Sequence, residues 1–160
     1  MNKNIQKKAF SIIEVIVAAA IVLLVGTVFV GVLSQTISLS GRSMHVIQAS
    51  SLLEEGAEAV KTIRDNDWTT ISNLTVGTTY YLSYSSVTNL WSLTTTPSTI
   101  GIFTRTVVIS AVNRDSNDDI VSSGGTLDVK TKKVTITTSF NSQSGTISKT
   151  LVFYISDIFN

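Results

Sequence analysis

Few residues in this chain have the type and spacing for chemistry. Asp115-Ser116-Asn117-Asp118-Asp119 is the densest acidic stretch. Asp115, Asn117 and Asp119 alternate as the first ligands of a calcium loop do, and Asp128 could join them if the chain folds back. The pattern then departs from that template: Ile120 stands where the turn needs Gly, and Thr126 where a bidentate Glu belongs. A solvated loop between strands is the expected reading, with calcium as its rival and no other cofactor. The one histidine, His45, has no Cys or His companion and is expected to be structural. There is no cysteine, which excludes disulfides, thiolate metal sites and cysteine nucleophiles. No Gly-rich phosphate loop follows a strand, and no paired carboxylates suggest acid–base work. The chain is therefore not expected to be an enzyme.

The remaining candidate is Glu14. It is the one charge in an apolar run from Phe10 to Leu33, and no other charge follows before Arg42. At about 1.5 Å of helical rise per residue, this run is long enough to cross a hydrocarbon core about 30 Å thick. Lys3, Lys7 and Lys8 precede it, which predicts a cytoplasmic N-terminus and a head on the outer side. A carboxylate inside lipid costs roughly 2–3 kcal/mol, so Glu14 must lie at the interface, be protonated or find a partner. An ordinary secretory signal fits poorly. Its small-residue site would be Ala18-Ala19-Ala20, inside the apolar run rather than after it.

The residues Lys7-Lys8-Ala9-Phe10-Ser11-Ile12-Ile13-Glu14 resemble the processing site of type IV prepilins and pseudopilins. The resemblance implies cleavage between Ala9 and Phe10 and methylation of the new Phe10 nitrogen, both by a prepilin peptidase. Glu14 becomes the fifth mature residue, as in that family. A cation at the Phe10 nitrogen lies one helical turn from Glu14. In an axially staggered assembly, Glu14 of one subunit can meet the Phe10 nitrogen of the next. Ala9 departs from the family's usual Gly, and the lack of cysteine departs from the disulfide of many pilins.

The elements that must position these residues follow from pattern. Residues 1–9 read as a leader, 10–33 as a membrane or fibre-core helix, 34–67 as an amphipathic continuation and 68–160 as an antiparallel β head. Val46, Ala49, Leu53, Gly56, Val60 and Ile63 recur at helical spacing, and Glu54 and Glu58 can pair forward with Lys61 and Arg64. Gly41 is a possible break and Asp65-Asn66-Asp67 a stop. The helix, if unbroken, is about 80 Å long. Leu52–Val60 and the residues through Trp68 also look like the post-anchor helix of minor pilins and pseudopilins.

Beyond Trp68 the composition turns to Ser, Thr, Val and aromatics, which favour strands. Tyr80–Tyr84 and Ile102–Val112 are strand candidates. Val87–Ile100, with Pro97, reads as an irregular connection anchored by Trp91. Val134–Phe140 and Ile147–Ile155 alternate around a turn at Asn141–Gly145, a C-terminal hairpin. Three or four strands would lay their apolar face on the 46–63 stripe, an α+β fold. Trp68, Trp91 and the tyrosines are expected in the core. Asn73-Leu74-Thr75 matches a glycosylation sequon and is expected to be accidental.

A net charge of +1 suggests no general nucleic-acid surface. The resemblance implies a structural subunit of a pilus or pseudopilus, first membrane-bound and then in an extracellular or periplasmic fibre. Its partners would be the peptidase, other pilin subunits, an inner-membrane assembly platform and, before assembly, lipid. The alternatives are a minor subunit or secretion pseudopilin that initiates or caps the fibre, and a single-pass anchored binding module that never polymerises.

Overall fold

No proline interrupts the chain before Pro97, and the apolar and Ala-rich run feeds directly into the amphipathic one. In the computed structural model, which describes residues 11–142 and 145–158, these residues form one helix, α1 (Ile12–Asn66). Gly41 does not end it. The chain divides into two units with the boundary between Met44 and His45. Asp67 stops α1 and caps a second, short helix, α2 (Trp68–Ser72), its carboxylate accepting from the Thr69 amide at 3.0 Å. That bond and the Thr69 and Thr70 hydroxyls favour the charged carboxylate and hold its pKa below the usual value. The composition after Trp68 favours strands, but the first strand candidate begins only at Tyr80, and local capping by Asp67 makes these five residues helical.

The sheet is antiparallel and larger than the three or four strands expected. Five strands run in the order β2–β1–β4–β6–β7: β1 (Thr79–Ser85), β2 (Leu90–Thr94), β4 (Phe103–Arg114), β6 (Thr126–Ser142) and β7 (Gly145–Ser156). Two short strands, β3 (Thr99–Ile100) and β5 (Ile120–Val121), pair with the ends of β4. The region read as an irregular connection thus contains β2, which pairs with β1 from Tyr81↔Thr94 to Ser85↔Leu90. Its Leu-Trp-Ser-Leu-Thr sequence alternates too briefly to announce itself. The C-terminal hairpin forms with strict register from Thr131↔Ser156 to Ser142↔Gly145, so the turn is tighter than Asn141–Gly145. Its residues 143–144 lie outside the described ones.

Inward positions follow strand parity. Val107, Ile109, Val134, Ile136 and Ile155 meet Leu53, Ala57, Val60 and Ile63 of α1 in one core, which Tyr80, Leu82 and Ile71 complete. A second cluster joins Ala49 to Phe103 and Phe140, with Val46, Leu52 and Ile147 against it. His45 sits edge-on to both rings, at 5.6 Å from Phe140 and 6.2 Å from Phe103. Trp68 and Trp91 pack against the larger core as expected, but Tyr84 and Tyr154 are about half exposed: Tyr154 is on the outer side of β7, whereas Tyr84 shares the inward parity of Tyr80 and Leu82 and lies 5.1 Å from the Trp91 ring, beyond the edge of the core.

One inward position carries a charge. Arg105 is 4% exposed, and its guanidinium lies beneath α1. Nη1 donates to the Leu52 carbonyl at 2.9 Å and stands 3.3 Å from Glu55 Oε1, and the guanidinium carbon is 5.7 Å from the Trp91 ring centre. Gly56 makes room for it: a Cβ there would stand 3.1 Å from Arg105 Cδ. The expected surface pairs form only in part. Glu58 holds Lys61 at 2.8 Å, whereas Arg64 turns to Asp65 at 2.7 Å, the nearer carboxylate.

Leu53 is buried between helix and sheet. Leu53→Ala should lower stability by about 2–5 kcal/mol, the usual range for a buried leucine, read from urea or thermal unfolding of the full chain. An unchanged transition would mean that the sheet does not rest on this stripe.

Candidate functional site

The residues singled out in the sequence lie in two separate places. The first is the N-terminal part of α1. Ser11 opens the helix, its carbonyl accepting from the Glu14 and Val15 amides at 2.9 and 3.3 Å. Glu14 is therefore in the first turn, where the positive end of the helix dipole favours a carboxylate. It is exposed. Ala9 and Phe10, the residues of the proposed cleavage, lie outside the described residues.

From Val15 to Leu33 the segment offers solvent almost nothing polar. Thr27 and Thr36 donate their hydroxyls to the Leu24 and Val32 carbonyls, both at 2.9 Å, which suits an environment without water. Seventeen large apolar side chains between Ile12 and Leu39 are exposed, including Leu23 at 70% and Phe29 at 63%. They cover all sides of the helix, so no single stripe could be buried by one partner face. Soluble monomers do not leave a surface of this kind bare. By length and composition this helix can cross a membrane. An equally apolar surround of other such helices would satisfy it as well, because either medium removes the side chains from water.

The second place is the loop after β4. Asp115 Oδ1 accepts from the Asn117 and Asp119 amides at 2.8 and 3.0 Å, and Asp118 adopts a left-handed φ of 67°. The Asp115 carboxylate thus shapes the loop from within. Asp128, the candidate fourth ligand, is held by Arg114, whose Nε lies 2.7 Å from Oδ2. Arg114 also donates to the Asp118 carbonyl at 2.7 Å and to Thr131 Oγ1 at 3.3 Å. Among the described residues, no three acidic, His or Cys side chains gather as metal ligands do. The loop is organised around the Arg114 guanidinium, which no local sequence pattern marks for that role.

That environment sets the Asp128 titration. The Arg114 hydrogen bond first, then those of Thr131 and Lys130, lower its pKa to about 2. A depressed carboxylate pKa means that its stabilising effect is complete above the unfolded value, about 3.9, and is lost as pH falls toward 2. The Lys130 amide donates to Asp128 Oδ1 at 2.8 Å and reports on it directly. Its proton shift should titrate with a midpoint near pH 2, and should be flat in Asp128→Asn. A midpoint near 4 would show that Arg114 does not hold the carboxylate.

Comparison with protein-family models, curated proteins and solved structures finds no match to this chain.

Proposed function

We propose that the chain is a structural subunit of a type IV pilus or pseudopilus, assembled through the N-terminal part of α1. One observation carries the reading: seventeen apolar side chains stand exposed on every side of a helix whose sole ionisable residue between Ser11 and Gly41 is Glu14. In a lipid bilayer the segment anchors the precursor, with Lys3, Lys7 and Lys8 on the cytoplasmic side. In a fibre the same side chains pack against copies of themselves. Exchange of lipid for neighbouring helices keeps them out of water throughout.

Glu14 gives this reading its specificity. After cleavage behind Ala9, the Phe10 nitrogen is a cation one turn from the Glu14 position. A neighbour offset along the axis brings its own Glu14 to that cation. Two charges in a low-dielectric core are tolerated only as a pair, so the pair selects one stagger among many equally greasy ones. Initiating or capping minor subunits and secretion pseudopilins use the same arrangement and fall within the proposal. A single-pass binding module accounts for the exposed helix but gives Glu14 and the Ala9–Phe10 junction no role.

Glu14→Ala removes a costly charge from the membrane segment, so the precursor should insert at least as well as wild type. Glu14→Gln keeps the shape and removes the charge. Both variants should accumulate in membranes and be at least tenfold depleted from sheared fibres, as measured by immunoblot of the two fractions. Normal incorporation of both would falsify the pairing role of Glu14.

A further inference from the structure

The outer face of the sheet, turned away from α1, is Ser, Thr and Val almost throughout. Among the outward positions of Thr104–Ser110, Lys133–Ser139 and Ser148–Tyr154, one residue is charged, Lys133. It pairs across the strands with Ser110 on one side and Tyr154 on the other. Just beyond this row the β4–β6 register shifts between Ala111 and Val112, and β5 folds back on the end of β4. The shift opens a cavity of about 410 Å³ lined by Ser110, Val112, Ile120, Ser122, Lys133 and Tyr154. Small-ligand sites run from roughly 300 to 1,000 Å³, so this one suits a single sugar-sized group.

The lining is chemically mixed in a particular way. Lys133 has no carboxylate partner among the described residues; the acidic groups nearby in sequence are taken by Arg114. Tyr154 is 48% exposed, and Ile120 presents a second apolar surface at 41%. Ser110 and Ser122 contribute hydroxyls. One ammonium answers one carboxylate. A phosphate dianion would call for several donors and more positive charge than a single lysine provides. A half-exposed phenol ring offers a flat apolar face with a polar edge. Hydroxyls at the rim match hydroxyls.

The geometry points to a binding site for a carboxylate-bearing pyranose, a uronic acid residue, at the Lys133–Tyr154 cavity. The carboxylate meets the Lys133 ammonium, the C–H face of the ring lies on Tyr154, and the sugar hydroxyls reach Ser110 and Ser122. The site lies wholly in the head and does not depend on how α1 is assembled.

The test is a shift titration of the full chain, ¹⁵N-labelled and in detergent micelles, with glucuronate. Saturable shifts are expected at the amides of Lys133, Tyr154 and Ser110. Glucose, acetate and benzoate should each bind at least tenfold more weakly. Lys133→Gln and Tyr154→Ala should each weaken glucuronate binding at least tenfold, with wild-type melting curves showing that the fold persists, while Tyr154→Phe keeps most of the affinity. A short oligogalacturonide that binds more tightly than the monosaccharide identifies a polymer as the source; equal affinity identifies the free sugar acid. Absence of saturable shifts, equal binding of acetate or benzoate, or an unaffected Lys133→Gln would overturn the proposal.

Discussion

The head depends on one contact, between the 46–63 stripe of α1 and the inner face of the sheet. With no cysteine in the chain, no covalent link supports it. Val60, Val107, Ile109, Val134 and Ile136 are fully enclosed only because helix and sheet cover each other. The close approach has a price at Gly56, where Arg105 fills the space that a side chain would take. A buried guanidinium is expensive unless its donors find acceptors; here a helix carbonyl and a glutamate serve Nη1 and Nη2 and an indole face lies nearby, while the buried Nε has no hydrogen-bond partner. The same residues fix which face of the helix meets the sheet, since Leu52, Glu55 and Gly56 lie side by side on one helical turn.

Upstream of His45 the constraint is of the opposite kind. The apolar side chains from Ile12 to Leu39 find no cover among the described residues. Lipid and neighbouring helices meet that need equally well, as the proposed transfer from membrane to fibre requires. Apolar contacts alone would not choose a register, because Val, Ile, Leu and Ala repeat around the whole surface. The proposed assembly therefore rests on Glu14, the one group that distinguishes one axial offset from another.

Much of this was legible in the sequence because its signals are periodic. The stripe through Ala49, Leu53, Gly56, Val60 and Ile63 is buried as its spacing predicted, and Val134–Phe140 and Ile147–Ile155 form the hairpin that their alternation required. What escaped was set by tertiary context. Arg105 sits between Phe103 and Val107 at an inward parity, but no local rule says that a guanidinium there will be accepted by a helix carbonyl fifty-three residues away. The segment Leu90–Thr94 becomes a strand because Tyr81–Ser85 offers it an edge, not because its own alternation is strong. Asp128 read as a spare ligand because its distance from Arg114 is invisible until β4 and β6 are paired. Tyr154 falls within a strand that alternation predicts and Lys133 directly before one, yet their juxtaposition across the sheet depends on register, which alternation alone does not fix.

The central claim is that the exposed N-terminal helix is a processed assembly element rather than a plain anchor. Intact mass and N-terminal sequence of the protein recovered from its native membranes and sheared fibres test this most directly. The account predicts a chain beginning at Phe10 with a single added methyl group on its amino nitrogen, present in both fractions. A chain that retains Met1, or that is cut after Ala20, would contradict it.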